Sequence, residues 1–528
     1  MKLQPPPSGK PKGKARHSQV TFKPYQQDQM LLLPPSLEEL VAPNHLARVI
    51  SRAIDQMNLQ PLLQSYKGGG TSSYHPRMML KVLIYAYTQK RFTSRQIAKA
   101  LREDVVFMWL SGNNRPDFRT INHFRSSRLK ESIDSIFASL VAWLHEQGYI
   151  NLEQYFQDGT KMEANANKYS YVWRKSVRRY KKRLKEKIQG LLAHIDEVNE
   201  KENAYYGTKD LAELGEQASL SSEKLSEIVA ELDKELAQRP EDKKLKRTVK
   251  TLKKELPRLA RYEQQEQIMA GRNSYSKTDP DATFMRMKDD PLNQGQLKPA
   301  YNIQAGTENQ FVVGVSVHQN AADSACFIEH LDKLEAQHGR LPNKVIADAG
   351  YGCEENYEYL QRKAITGFVK YGSFHREQNK KFQENRFHTQ NLAYDEARDE
   401  FICPAGKPMR YEKTVEVTTA TGYKLQKRIY KAEGCAGCEL RRHCYQGNGD
   451  RRIHINFRLR HFQQRARDRL LSEQGKRLRF RRGVEVESVF GNIKRNLGFR
   501  RFWLRGLQKV NIEINLLCLA HNMIKMAA

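Results

Sequence analysis

The chain has 528 residues, more than one ordinary core holds, so several structural units are expected. Its 39% apolar and 28% charged residues fit a soluble globular protein, and the longest apolar run near the end, INLLCLA from Ile514, falls far short of a membrane span. Lysine and arginine number 90 against 60 acids, a net +30 spread along the chain; this points to a polyanionic partner, the alternative being a merely solvated basic surface.

Residues 1–35 include MKLQPPPSGKPKGKARHSQV, which has lysines and prolines but no apolar stretch of signal-peptide length, and read as a flexible basic arm. Seven cysteines, unevenly placed, argue against a disulfide framework and for a reducing cytosol, hence a cytoplasmic protein at the nucleoid. Residues 36–150 carry helical periodicity broken at YKGGGTSSYHP and SGNNRPD, an all-helical N-terminal domain. Within it TSRQIAKAL puts Ile97, Ala98 and Leu101 on one face after a Thr93/Ser94 cap, and RPDFRTINHFRSSRL starts a second helix after Pro116 and Asp117. The pair resembles a helix-turn-helix in which Arg119, His123 and Arg125 to Arg128 would meet DNA; helices that merely pack together are the alternative.

Residues 151–171 begin an α/β domain with the strand NLEQYFQDGTKME. Residues 172–268 interrupt it with two apolar series at spacings of four and three, Leu184, Ile188, Leu191, Ile195, Val198 and Leu245, Val249, Leu252, Leu256, Leu259. Such seams predict a helical hairpin or short coiled coil, serving as a solvated spacer or a DNA-contacting arm. Residues 269–398 resume the α/β pattern with strands PAYNIQAG, FVVGVSVH, KVIADAGY and TGFVKYG and the helix CFIEHLDKLEAQ, giving a mixed sheet. Residues 399–450 hold Cys403, Cys435, Cys438 and Cys444, spaced either for a structural Cys₄ zinc site, with His443 a substitute ligand, or as free thiols. Cys326, Cys353 and Cys518 read as packing residues. Residues 451–528 return to helix and close the α/β domain.

Two aspartates, Asp158 in YFQDGTK and Asp348 in VIADAGYG, follow apolar strand residues and precede a glycine, where open α/β sheets place their active sites; singly, an Asp beside a Gly is usually a turn residue. A third carboxylate comes from GVEVESVFGNIKRNLGFRRFWLRG. If VESVFGNIKRNL is helical, Val486, Phe490, Ile493 and Leu497 pack inward, Glu487 sits about 100° from that stripe, and Lys494 lies two turns on along nearly the same line. Glu485 falls on the other flank, as a surface or supporting residue. Asp323 follows a strand and could stand near the site but reads first as a helix cap before CFIEHL, Asp289 and Asp290 read as turn residues, and Glu163 as accessory only if its strand turns sharply. Three remote carboxylates in so basic a protein suit Mg²⁺ (or Mn²⁺), which takes hard oxygen donors and binds phosphate. Two such ions can cut a phosphodiester.

The motifs YFQDGTKMEANANKYSYVWRK, DDPLNQGQLKPAYNIQAG, VIADAGYG and VESVFGNIKRNLGFRRFWLRG, in this order, resemble those of DDE transposases of bacterial insertion sequences, from about Ser36 to the C-terminus. The resemblance implies an InsH-type helical N-terminal domain ahead of an RNase H-like catalytic domain, with Asp158, Asp348 and Glu487 as first, second and third acid. The family's Tyr-Arg-Glu-Lys signature has its Arg four residues before the Glu and its Lys seven after. Lys494 matches, but Gly483 stands at the Arg position with Arg482 one place further off, and Phe480 stands at the Tyr position.

The function expected is therefore a transposase that binds the ends of its element, cleaves DNA with two metal ions and joins the freed 3′-hydroxyl to target DNA. Lys494, Arg500, Arg501 and Arg505 would grip phosphates. The family implies double-stranded DNA, the terminal inverted repeats and the target, as partner, and at least a dimer on DNA. The alternatives are a metal-dependent nuclease without joining and a non-catalytic DNA-binding protein.

Overall fold

The computed structural model describes residues 36–66, 73–206, 220–287 and 295–528; side chains of 196–206 lie outside the description. The expected basic arm, Asp289 and Asp290, and the side chain of Val198 lie outside the described residues.

The central sheet forms where strands were read, with one further strand, Thr283–Arg286, that was not. Its strands are β1 (Gln154–Glu163), β4 (Thr283–Arg286), β5 (Leu297–Glu308), β6 (Phe311–His318), β7 (Lys344–Ala347) and β8 (Thr366–Val369), while β2 (Tyr171–Trp173) and β3 (Ser274–Ser276) pair separately. The order is β5–β1–β7–β8, with β6 and β4 along the other edge of β5. β1, β7 and β8 run parallel and β5 antiparallel to β1, a mixed sheet compatible with an RNase H-like core. Asp158 is not at the end of its strand as expected: β1 continues to Glu163 against β5. The parallel pairing of β1 with β7, however, stops at Phe156 opposite Ile346. Side chains alternate along a strand, so Asp158 and Asp348, each two residues beyond that pair, project on the same face from adjacent strands.

The N-terminal helices and this sheet share one core. The C-terminal helix Leu507–Ala527, buried along most of its length, packs against the helix Pro76–Thr88, the helix Ile133–Glu146 and β6. Ser94–Glu103 starts with a capping box of Thr93 and Gln96. Between it and Phe118–His123, which Asp117 caps, lies a further helix, Val105–Ser111, so the simple two-helix motif expected here is absent.

Among the described residues the interrupting segment forms three helices rather than a hairpin: Arg174–Tyr206, Ser222–Gln238 and Lys243–Met269. They bury a core of their own, with Leu225, Ile228, Val229 and Leu232 of the middle helix completing the seams. In the first seam Leu192, rather than Leu191, is buried with Leu184, Ile188 and Ile195. Further along, a five-stranded sheet of β9 (Tyr394–Asp395), β10 (Glu400–Ile402), β11 (Pro408–Thr418), β12 (Lys424–Ala432) and β13 (Arg452–Ile455) carries the cysteine segment. No helix among the described residues is long and apolar enough to cross a membrane.

Candidate functional site

Three chain segments bring the carboxylates together. β1 and β7 supply the aspartates. Asp348 leaves β7 in extended backbone and accepts a hydrogen bond from the Gly350 amide at 2.8 Å, turning the chain away. The third segment is a continuous helical run from Glu473 to Asn496 that packs on the sheet through Val486 and Phe490 against Ala305. Ala305 is the cross-strand partner of Asp158, so the seat of Val486 brings its neighbour Glu487 beside the aspartates.

The inward stripe is as expected, Val486, Phe490, Ile493 and Leu497 all being buried, but the helix is not regular. Gly483–Glu487 and Asn492–Asn496 are π-helical turns. A π-turn adds a residue to one turn, a feature common at functional sites. The first such turn brings Arg482 round to the face of Glu487. Its guanidinium reaches all three acids: Nη2 lies 2.9 Å from Asp158 Oδ2 and 3.8 Å from Asp348 Oδ2, and Nη1 donates to Glu487 Oε1 at 3.2 Å. Arg482 is only 8% exposed, and its Nε is buried without a hydrogen-bond partner.

Of the two readings of Glu485, surface or supporting residue, the structure bears out the second: it is buried, 5% exposed. It accepts from the Gln310 amide at 2.7 Å and from Arg481 at 2.6 Å, fixing the helix to the turn between β5 and β6. Glu487 is 58% exposed and free to face a ligand, and Phe480, at the family's Tyr position, is 81% exposed.

Two further groups stand at the site. Asp323, read as a cap, makes no cap bond. Its carboxylate accepts from Asn302 Nδ2 at 2.8 Å and Gln304 Nε2 at 3.1 Å beside Gly159. A Cβ at Gly159 would come within 2.3 Å of Gln304 Nε2 and 2.5 Å of Asp323 Oδ1, which is why glycine follows Asp158. Lys370, just past β8, is half-buried, and burial, with Arg482 and Arg479 adding, holds its ammonium below the usual lysine range against the opposing pull of Asp348 and Glu487. Burial pushes the Asp158 carboxyl up to about 6; Arg482 pulls it down, while Asp348 and Asp323 add to the rise. The only sequence signal for Asp323 and Lys370 was their place just beyond strand ends.

Among the described residues no three His, Cys, Asp or Glu side chains stand close enough, as placed, to hold a metal ion. At the acid cluster the central position belongs to Arg482. The donors there nevertheless fit a hard divalent cation: they are carboxylate oxygens from three segments, already drawn around one positive group. The expected zinc ligands Cys403, Cys435, Cys438 and Cys444 likewise form no such group. Instead Cys403 Sγ accepts from the Lys407 amide, Cys435 Sγ from the Arg451 amide and Cys444 Sγ from Arg451 Nη1.

The expected phosphate grips separate into two groups. Lys494 lies half-buried in the second π-turn, and Arg500 is exposed, its Nε 3.4 Å from the Lys494 carbonyl. Arg501 and Arg505 hold the chain just after β1, at Ala164, Ala166 and Asn165, with their outer surfaces exposed. Glu163, at the end of β1, pairs with Lys298 and Arg501. In the helical unit Arg119 is exposed in an open groove of about 560 Å³ with Thr93, Ser94, Arg95, Phe118 and Asn122. Arg125 is corrected: it is 3% exposed and bonded to Tyr87 and the Phe92 carbonyl, where no phosphate can reach it.

Residues 402–527 match a family described as "Transposase DDE domain", a span that includes Glu487 and Lys494 but neither aspartate. Residues 35–127 match one described as "Transposase domain (DUF772)", which covers the groove. No curated protein and no solved structure matches the chain.

Proposed function

The chain is a DDE transposase of the insertion-sequence kind, an enzyme that acts on DNA, and from that premise we propose that Asp158, Asp348 and Glu487 are its catalytic carboxylates and hold divalent cations, Mg²⁺ or Mn²⁺. The observation that carries this reading is the convergence of the three acids, from segments remote in sequence, on the single guanidinium of Arg482. A pair of bound ions would activate a water or 3′-hydroxyl and stabilise the leaving oxygen of the phosphodiester. The chain's own residues bind and orient. Lys494, Arg500, Arg501 and Arg505 lie on the helix bearing Glu487 or the segment after it and would hold a DNA backbone. Asp323, fixed by Asn302 and Gln304, supports Asp158 through Gly159.

The strand order supports an RNase H-like domain assembled from residues 151–171, 269–398 and 451–528, with 172–268 and 399–450 inserted. The helical unit of residues 36–150 would read the element ends, its groove at Arg95 and Arg119 serving as the contact. Joining two ends to one target would require at least two copies on DNA.

The test is incubation of the full chain with DNA carrying the element ends and a target. Mg²⁺-dependent cutting and strand-transfer products are expected, and are lost in Asp158→Ala, Asp348→Ala and Glu487→Ala. Full activity in each of the three variants would refute the assignment; cutting without any joined product would reduce the protein to a nuclease.

A further inference from the structure

We propose that Arg482 is a built-in counter-ion which occupies the acid cluster before metal arrives and competes with the divalent cation for the same oxygens. The proposal rests on the reading of Asp158, Asp348 and Glu487 as the metal-holding acids. Three carboxylates that face one another in a partly desolvated cleft repel, and among the described residues Arg482 is the ion-pair partner common to all of them. It reaches them with its two terminal nitrogens, while Nε stays buried and unbonded. The guanidinium is thus held by the same oxygens that a divalent cation would take.

The surroundings make that hold reversible. Lys370 lies near enough to Arg482, Asp348 and Glu487 to act on them electrostatically, so a second positive group stands beside the guanidinium and disfavours it there once another cation satisfies the acids. Glu487 is the most exposed of the three acids, and the arm of Arg482 leaves from the π-turn that also carries Glu487. Retreat of the guanidinium therefore needs a side-chain rotation and no movement of the sheet. The repulsion among the acids is then offset in part by Arg482 in the free protein, and their affinity for metal is set below what three bare carboxylates would show.

The test is Mn²⁺ binding to the full, DNA-free chain, read from the electron paramagnetic resonance signal of free Mn²⁺. Arg482→Gln should bind Mn²⁺ about tenfold more tightly than the wild type, the loss of one charge-assisted competitor. Equal or weaker binding by this variant overturns the proposal. Should Arg482→Gln not fold without metal, Arg482→Lys, with its single less well-directed point charge, is expected to fall between the two; if it binds no tighter than the wild type the proposal fails equally. Asp348→Asn separates the two readings. It should weaken Mn²⁺ binding with Arg482 present or replaced, and unchanged binding in both cases would refute the carboxylate site itself.

Discussion

Arg482 stands five residues before Glu487 and still donates to it at 3.2 Å, because the chain between them is a π-turn. In a regular helix residues five apart point about 140° away from each other, and the wider turn removes that offset. Gly483, by contrast, faces open space, with nothing within 4 Å of where its Cβ would be. An arginine placed at 483 therefore cannot stand in for Arg482. Arg482→Ala should destabilise the metal-free protein by about 2–4 kcal/mol in chemical denaturation, having left buried charge unpaired. The double variant Arg482→Ala/Gly483→Arg should recover none of it; recovery would mean that position 483 reaches the acids.

The raised carboxyl of Asp158 gives stability a pH dependence. Its folded value of about 6 lies above the ordinary 3.8, so the folded state binds the proton more tightly. Its contribution is fully present below 3.8 and is lost as pH rises through 6, so metal-free protein should lose stability across that window from this group. Thermal melts of wild type and Asp158→Asn should diverge across this window, with the variant lacking that component of the slope. Parallel curves would show that burial does not raise the Asp158 carboxyl.

Arg125 belongs to the core. With Tyr87 it faces Glu513, whose carboxylate accepts from the amides of Trp503 and Leu504 at 2.9 and 3.0 Å and from the Tyr87 hydroxyl at 3.4 Å. This ties the N-terminal helices to the C-terminal one. Arg125→Ala should cost about 3 kcal/mol of stability while leaving the salt dependence of DNA binding in the surviving folded protein unchanged. Arg119→Ala should do the reverse, keeping stability within about 0.5 kcal/mol and lowering the slope of log affinity against log salt by about one.

Gly159 is required by close approach. Gly159→Ala should cost about 1–3 kcal/mol through displacement of Gln304 and Asp323, and should reduce cleavage even though no acid is altered. Wild-type cleavage by this variant would show that Asp323 can leave without consequence.

Much of the sheet was legible because strands buried by neighbours announce themselves as apolar β-branched runs, and β6 coincides with FVVGVSVH. The candidate aspartates were picked out by strand-then-glycine, although β1 runs on past Asp158, and Glu487 by the inward stripe, which survives the π-turns since Val486, Phe490, Ile493 and Leu497 remain buried. The role of Arg482 was not, because one extra residue in a turn leaves no trace in periodicity. The same regular-helix counting left Glu485 open between surface and supporting residue, and its anchor to Gln310 decides for the second. Asp323 was passed over because an Asp before a helix fits a cap as readily as a site, and the choice depends on the amides of Asn302 and Gln304 reaching it across the sheet. Arg125 illustrates the limit of charge: an arginine in a basic segment reads as a phosphate grip until the buried Tyr87 hydroxyl and Phe92 carbonyl that hold it are known.

The central claim, that Asp158, Asp348 and Glu487 jointly hold the cation, is tested most directly by exchanging one ligand's hardness. Asp348→Cys should lose cleavage of element-end DNA by about a hundredfold or more in Mg²⁺ and regain a measurable part in the softer Mn²⁺ or Cd²⁺, because a thiolate discriminates against Mg²⁺. Cleavage in Mg²⁺ at the wild-type rate by Asp348→Cys would contradict the account.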